Sequence, residues 1–200
     1  MKNIISLLIF GFFSINIVKA QYQYDQIKSS VFSYIGTGNM GTEFIFAVHP
    51  GMNDDKPVSK VKIFITSKVP TEVRLTIPGI SSSPLKTKMT IPDELVELTL
   101  EPGEAQPYIR GQGGLKTKIE PSKVWPGRAV ILESDEPIIA YVSIQYENVT
   151  DSFLAIPTHL MDNEYIISSY RESSTNESIE FTSYASIVGI YDKTQVNFAF

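Results

Sequence analysis

The chain has 200 residues, of which 42% are hydrophobic and 20% are charged, and its formal net charge is −5. This composition is typical of a globular protein, and the length allows one sizeable domain, or one domain and part of another. An acidic chain without a basic cluster is a poor match for nucleic acid or for an anionic membrane surface, so neither is expected as a partner. Because cysteine is absent, thiol catalysis, cysteine-bound zinc and disulfides are excluded.

Residues 1–20 have the pattern of a secretory signal peptide. Lys2 supplies the positive start, the stretch 4–18 is mostly apolar, and Ala20 is the small residue expected before a cleavage site. The alternative is a membrane anchor, but the stretch is short for a span of about 20 apolar residues, and no later stretch is long enough. We therefore expect a secreted, extracellular protein without a membrane span after cleavage, with residues 21–37 as a lead-in.

Strand patterns fill the rest of the chain. Short runs of β-branched, aromatic and alternating polar and apolar residues are separated by Gly and Pro signals, and no long stretch has helical periodicity. Only one short helical turn is expected, at residues 159–164. The runs occupy residues 43–48, 61–66, 71–77, 94–101, 129–133 and 138–146. This arrangement predicts an all-β fold, namely an antiparallel β-sandwich.

Two connections between these runs have a specific prediction. The segment Val69-Pro70-Thr71 lies between two strand patterns and predicts a hairpin. The segment Ser134-Asp135-Glu136-Pro137 predicts a turn that separates two apolar strands. A similar hairpin pattern, with strands at residues 186–191 and 194–200, recurs late in the chain.

An internal repeat is also predicted. Met40–Ile45 aligns with Met161–Ile166, and residues 71–73 align with residues 194–196 at nearly the same offset. The predicted boundaries are 38–160 for one complete sandwich unit and 161–200 for a truncated second unit. Because the second unit lacks counterparts to the later strands of the first, we expect the natural protein to be longer, or the sequence to be incomplete.

Six motifs occur in a characteristic order along the chain. They are Gly41-Thr42-Glu43-Phe44, Thr-x-Val-x-Leu-Thr-Ile-Pro-Gly at 71–79, Glu101-Pro102-Gly103-Glu104, Ser134-Asp135-Glu136-Pro137-Ile138, 151–157 and Glu164-Tyr165 with Ser169-Tyr170. Over residues 40–200, this order resembles the N-terminal domain of IgG Fc-binding proteins, which are secreted proteins of mucus. The resemblance implies an extracellular, adhesive binding module that contacts a protein or glycoprotein partner. It does not imply binding of immunoglobulin Fc, it supplies no catalytic or ligand residues, and the cysteine-rich modules of the full-length mucus proteins are missing.

Catalytic and cofactor motifs have simpler interpretations. Residues 36–41 match G-x-G-x-x-G, but a strand pattern follows where a dinucleotide site needs a helix, so a turn is expected. His49 and His159 could each join a serine and a carboxylate, yet the chain has no G-x-S-x-G elbow. Glu133 and Asp135 could form a carboxylate pair, but turn chemistry explains them. We therefore expect a protein that is not an enzyme and has no catalytic residue and no cofactor.

Oxygen-rich loops and surface residues complete the candidates. Residues 53–55 and 162–164 could attract calcium, but they lack EF-hand spacing, so solvated loops without a metal are expected. Asn148 and Asn176 begin N-glycosylation sequons, which would make the protein a glycoprotein if used. Trp125, the single tryptophan, is the candidate for surface recognition.

Two functions remain in view from the sequence. The first is a secreted, non-catalytic binding or adhesion module that recognises glycoproteins or other extracellular proteins through its loops and edges. The second is a carbohydrate-binding or carbohydrate-active protein, either lectin-like or a hydrolase. An exposed aromatic platform would favour the lectin-like form. A histidine within hydrogen-bond reach of a serine and a carboxylate in a pocket would favour the hydrolase.

Overall fold

A computed structural model of the protein describes residues 38–111, 124–168, 173–176, 179–181, 185–191 and 193–197. By its internal contacts the chain divides into two compact units, Met1–Gly38 and Asn39–Phe200. The predicted signal at 1–20 and lead-in at 21–37 lie outside the described residues. Within the described ranges, no helix is long and apolar enough to cross a membrane.

Strands dominate the described residues, and the predicted all-β class is confirmed. The main antiparallel sheet contains β1 (Gly41–Phe46), β2 (Lys60–Ser67), β3 (Glu72–Thr76), β4 (Lys86–Met89), β5 (Val96–Leu100), β6 (Val130–Tyr146) and β7 (Val149–Leu154). A separate two-stranded sheet contains β8 (Ser173–Asn176) and β9 (Ile179–Phe181). The helical elements among the described residues are α1 (Pro102–Ala105) and a 3-10 turn at Thr158–Leu160, close to the short turn predicted at 159–164.

Strand β6 organises the main sheet because it is 17 residues long and pairs with four other strands. Its first half lies between β1 and β3, and its second half lies between β2 and β7. Strands β4 and β5 extend the sheet beyond β3 and β2. All seven strands belong to one continuous sheet that is nearly closed into a barrel, so the two stacked layers of a sandwich stay a prediction.

The change of partners along β6 occurs at Ser134–Pro137, where the sequence predicts a turn. That prediction is wrong, because the segment lies inside β6 and every second side chain stays buried along the whole strand. Pro137 has no backbone N–H to give to a neighbouring strand, and the N–H of Glu136 donates to Thr71 Oγ1 at 2.9 Å. The turn-forming residues Ser134–Pro137 therefore mark the point where β6 changes its partner strands, and β6 continues through them.

The hairpin predicted at 69–71 is also wrong. Ile138 of β6 pairs with Gly41 on one edge and with Ser67 on the other, which places β2 and β3 together on the edge opposite β1. Both strands run antiparallel to β6, so the chain turns a corner between them and does not reverse. The connection between β4 and β5 makes the same change of direction, because β4 pairs with β3 and β5 pairs with β2.

A buried threonine holds this corner together. Thr90, 3% exposed, follows β4, and its Oγ1 accepts hydrogen bonds from Ser67 Oγ at 2.7 Å and from the N–H of Thr71 at 3.0 Å. Its own N–H donates to the carbonyl of Thr71 at 2.9 Å. These bonds satisfy polar groups that the interrupted strand ladders leave unpaired in the interior.

The core lies against the inward side of the sheet. Alternate residues of the strands are buried, as the period of two predicts. Burial of each large aliphatic or aromatic side chain contributes about 1.5–3 kcal/mol, which is how a chain without cysteine stabilises this sheet. Fully buried members include Phe44, Val61, Ile63, Ile65, Val73, Leu75, Leu100, Leu132, Ile138 and Val142.

The predicted second unit has a different character. Residues 161–168, 185–191 and 193–197 contain no strand, so the segment aligned with β1 and the described part of the predicted late hairpin are irregular. Several large apolar side chains in these ranges are exposed, among them Ile166 and Tyr191. The repeat and its boundary at residue 160 stay predictions.

Candidate binding surface

The register of four strands builds a continuous outward surface on one side of the sheet. Residues paired across antiparallel strands lie side by side on the same face, so side chains that alternate with the buried set point outward together. Tyr141 of β6 pairs with Leu154 of β7 and with Phe64 of β2. We call this surface the Tyr141 face. Its three rows are Leu154, Tyr141, Phe64 and Glu97; Ser152, Ser143, Lys62 and Thr99; and Thr150, Gln145 and Lys60. Ser143, in the middle of the second row, is covered and only 6% exposed.

Tyr141 presents an aromatic ring on this face and is 42% exposed. Its hydroxyl donates to Ser152 Oγ at 2.6 Å. Ser152 stands two residues along β7 from Leu154, the direct partner of Tyr141, so this bond holds the end of the Tyr141 side chain beside β7. The partly exposed ring lies in one row with Leu154, which is 38% exposed, and with the half-buried Phe64.

Charged side chains on or beside the Tyr141 face neutralise each other in pairs. Lys62 Nζ lies 3.2 Å from Glu97 Oε2, and Lys60 Nζ lies 2.7 Å from Glu101 Oε2. The Thr99 hydroxyl donates to Glu97 Oε1 at 2.6 Å. The hydrogen bond from Thr99 is the largest influence on Glu97 and lowers its pKa below the ordinary value. The bond and charge of Lys62 lower the pKa further, whereas burial raises it. The two lysines and two glutamates balance each other in charge, and a third cation, Lys88 of β4, lies at the edge of the face, where its Nζ donates to the carbonyl of Glu97 at 3.1 Å.

A second polar cluster, which we call the loop clasp, fixes the loops at one end of the sheet. Asp54 is 1% exposed, and its carboxylate accepts hydrogen bonds from the Gln106 amide, from the N–H of Arg110 at 2.9 Å and from the N–H of Gly111 at 2.7 Å. The hydroxyl of Tyr146 lies 2.7 Å from the carbonyl oxygen of His49 and also contacts the Gln106 amide. A buried carboxylate with several donors is a structural anchor.

The helix α1 and the loop after it are held by a related set of contacts. Glu101 and Glu104 form a capping box, in which the N–H of Glu101 donates to the Glu104 carboxylate at 2.9 Å. Arg128 Nη2 donates to the carbonyls of Gly103 at 3.0 Å and Glu104 at 3.2 Å, and it contacts the carbonyl of Gln106. A guanidinium suits this place because it satisfies several helix-end carbonyls at once.

Gly51 is required by the same clasp. A Cβ atom added at this position would lie 2.5 Å from ring carbons of Tyr146, which is closer than unbonded carbons approach. The ring of Tyr146 therefore packs directly on the backbone of the loop that carries Asp54. The Pro50-Gly51 pair, which the sequence predicts as a strand end, is also a packing site for an aromatic ring.

Trp125, the predicted recognition residue, is half-buried and stacks on Tyr108. Their ring centroids lie 5.4 Å apart with an interplanar angle of 26°. Burial raises the pKa of the Tyr108 hydroxyl, and the charge of Arg110 acts against this. The pair lies beside the loop clasp and away from the three rows of the Tyr141 face. Much of the Trp125 surface is thus used within the chain, and its role in recognition stays a prediction.

The two predicted sequon asparagines lie in different settings. Asn148 is exposed in the two-residue turn between β6 and β7, next to the third row of the Tyr141 face. Asn176 ends β8, while residues 177 and 178 of its sequon lie outside the described residues. The position of Asn148 is one that a glycan can reach, and use of both sequons stays a prediction.

His49 meets a serine, as a hydrolase would require, but with an unsuitable geometry. His49 Nδ1 lies 2.9 Å from Ser186 Oγ. Burial lowers the pKa of His49, and the charge of Asp151 acts in the opposite direction. In a Ser-His-Asp triad the serine bonds Nε2 and the carboxylate orients Nδ1, whereas Ser186 occupies the Nδ1 side here. His159 lies exposed in the 3-10 turn, away from this pair.

The loops considered for calcium show no metal centre. Within the described ranges, no group of three or more histidine, aspartate or glutamate side chains is arranged to hold a metal ion. The expectation that residues 53–55 form a solvated loop is wrong for Asn53 and Asp54, which are buried because the loop clasp uses them. In the other loop, Asp162 is exposed and its carboxylate accepts a hydrogen bond from the N–H of Asn163 at 2.7 Å.

Comparison with known proteins adds little to this geometry. No known protein family matches the chain, and no curated protein sequence matches it. A solved structure titled the crystal structure of Thermotoga maritima 1070 is 16% identical over 59% of this chain and 95% of that chain, with a TM-score of 0.34. A likeness of this size carries no argument about fold or function. The resemblance to the N-terminal domain of IgG Fc-binding proteins stays a prediction.

Proposed function

We propose that this protein is a secreted, non-catalytic binding module that contacts glycoproteins or other extracellular proteins through the Tyr141 face. The observation that carries the proposal is the row formed by Leu154, Tyr141 and Phe64, which turns apolar and aromatic surface outward from the middle of a hydrogen-bonded sheet. Exposed aromatic side chains on a rigid support are typical anchors of recognition surfaces. The strands hold this row in place before a partner arrives, which reduces the entropy lost on binding.

Sequence features support the extracellular part of the proposal. The stretch at 1–20 has the pattern of an export signal, and the motif order over 40–200 resembles a module of secreted mucus proteins. In this proposal residues 38–160 form the complete β-sandwich repeat and residues 161–200 begin a second one. The sequons at Asn148 and Asn176 are consistent with an exported glycoprotein.

Binding to immobilised mucin glycoprotein and to a panel of extracellular matrix proteins tests the proposal. The full chain is compared with Tyr141→Glu, which places a charge in the centre of the Tyr141 face, and with Ile80→Glu as a matched control. Ile80 is 43% exposed and lies on the connection between β3 and β4. We expect saturable binding to at least one surface that Tyr141→Glu abolishes and Ile80→Glu preserves. Equal binding by both variants, or none by the unmodified chain, contradicts the proposal.

The His49–Ser186 contact is the observation that favours a second candidate, a secreted serine hydrolase, although Ser186 lies on the Nδ1 side of the ring and a triad serine bonds Nε2. The two atoms are within hydrogen-bond distance, and the lowered pKa of His49 favours the neutral imidazole that a general base requires. The decisive measurement is labelling by a fluorophosphonate probe in the full chain and in Ser186→Ala. Labelling of the full chain that the substitution removes supports the hydrolase, and equal signals from both chains exclude Ser186 as its nucleophile.

A further inference from the structure

We propose that the ligand of the Tyr141 face is an uncharged oligosaccharide that stacks one sugar ring on Tyr141 and places its hydroxyl groups over the second row. This inference rests on the proposed function and names the chemical class that the face recognises. Its basis is the arrangement of one apolar row beside two polar rows on the same side of four paired strands.

The chemistry of the rows matches the two aspects of a sugar ring. A pyranose has a face of C–H groups, which packs on a flat aromatic surface, and a rim of hydroxyl groups, which needs donors and acceptors. The partly exposed ring of Tyr141 provides the first. The second row offers the hydroxyl of Ser152, the ammonium of Lys62 and the hydroxyl of Thr99, and the Gln145 amide lies beyond it. Few polar groups beside an apolar surface are typical of small-ligand sites.

The charge of the face selects among oligosaccharides. Lys62 is paired with Glu97, and Lys60 is paired with Glu101, so these two cations are already neutralised within the face, and Lys88 at its edge donates to the carbonyl of Glu97. Binding of a polyanionic glycan to Lys60 or Lys62 would require those pairs to open. A neutral chain can bond to the same groups without separating them. The pairing therefore favours an uncharged ligand.

The extent of the three rows suits a short glycan. Four strands at about 4.8 Å and three rows about 6.7 Å apart place the outermost Cα atoms about 14 Å apart in one direction and about 13 Å apart in the other. These dimensions match a few sugar rings of one chain, presented on a glycoprotein.

Isothermal titration calorimetry with defined oligosaccharides tests the inference. N-acetylchitohexaose, cellohexaose and mannohexaose are the neutral probes, and a heparin hexasaccharide is the charged one. We expect the full chain to bind at least one neutral probe, more tightly than heparin. Tyr141→Ala should raise the Kd about tenfold or more, because it removes the stacking surface, and Tyr141→Phe, which keeps the ring but loses the bond to Ser152, should raise it by about threefold. Ile80→Ala should leave the Kd unchanged.

Ser152→Ala keeps the test decisive if Tyr141→Ala does not fold. Ser152 is exposed, so its loss should spare the fold while it frees the ring of Tyr141, and we expect the Kd to rise by about threefold. Absence of binding to all three neutral probes, preferential binding of heparin, or an unchanged Kd in both variants overturns the inference. If the neutral probes fail while capture of a protein is still abolished by Tyr141→Glu, the inference falls and the proposed function stands.

Discussion

Two segments with nearly the same pattern, Glu43–Ile45 and Glu164–Ile166, have opposite surroundings. Phe44 lies in β1, pairs with Leu132 of β6 and is 0% exposed, whereas its counterpart Tyr165 is 66% exposed in a segment without a strand. Because the residue types are so similar, the difference arises from the neighbours and not from local propensity. A strand pattern becomes buried only where another strand meets its edge and a core lies beneath one side.

The largest test of this comparison is removal of the aromatic ring from each segment. Phe44→Ala leaves a cavity in the core, and the free energy of unfolding should fall by about 3–5 kcal/mol. Tyr165→Ala removes an exposed side chain and should change it by no more than about 0.5 kcal/mol. Urea denaturation followed by circular dichroism measures both. Similar losses for the two variants would show that the second segment is also packed.

Asp54, which is buried, and Asp162, which is exposed, allow the same comparison with two carboxylates. Asp54→Ala leaves the buried Gln106 amide and the half-buried N–H groups of Arg110 and Gly111 without their acceptor, and we expect the free energy of unfolding to fall by about 2–4 kcal/mol. Asp162→Ala removes one exposed local hydrogen bond and should lower the free energy of unfolding by less than about 1 kcal/mol. Denaturation midpoints of the two variants give the comparison. A loss below 1 kcal/mol for Asp54→Ala would mean that the loop clasp is not a structural anchor.

Thr90 and Thr194 allow the same comparison with a smaller expected effect. Thr90→Val keeps the shape of the side chain but removes the oxygen that bonds to Ser67 and Thr71 at the corner. The free energy of unfolding should therefore fall by about 1–3 kcal/mol. Thr194→Val removes an exposed hydrogen bond to the carbonyl of Tyr191 and should change the free energy of unfolding by no more than about 0.5 kcal/mol. Thermal unfolding distinguishes the two. An equal shift of the melting temperature in both variants would contradict a special role for the corner.

The smallest expected effect concerns the contact that joins the two regions, His49 with Ser186. Because burial lowers the pKa of His49 in the folded protein, the unfolded chain binds the proton more tightly, and this contribution to stability is present above pH 6.5 and is lost as the pH falls through the lowered folded pKa. His49→Asn should flatten the decline in stability below pH 6.5. Ser186→Ala keeps the buried imidazole and should retain that decline, and denaturation at a series of pH values measures both slopes.

The sequence predicts local strands better than their connections. The alternation in β2 and β3 identifies both strands and their buried sides, because it depends only on the period of two. Proline, serine and aspartate at 134–137 and proline at 70 indicate only that an ideal strand is interrupted. Whether the chain then reverses or bends depends on the distant partners along β6, which local patterns do not contain.

The candidate surface was harder to predict for a related reason. Residue type alone draws attention to Trp125, a rare aromatic, although the structure stacks it on Tyr108. Tyr141 lies in an apolar run whose phase is hidden, because apolar residues occupy both sides of the strand. The alternation of Ala140, Val142 and Ile144 was the available signal, since it assigns Tyr141 to the outward side. Asp54 had no such signal, because its donors lie more than fifty positions away.

The late position of β6 in the chain has a consequence during synthesis. Strands β1 to β5 leave the ribosome before it, and until residues 130–146 follow, β1 has no neighbour in the main sheet while β2 and β3 each have only one. The apolar sides of these strands therefore stay exposed to water, or bound to a chaperone, until this single late segment supplies the missing neighbour of β1, β2 and β3. Such long-range closure makes folding slow and leaves the nascent protein open to aggregation.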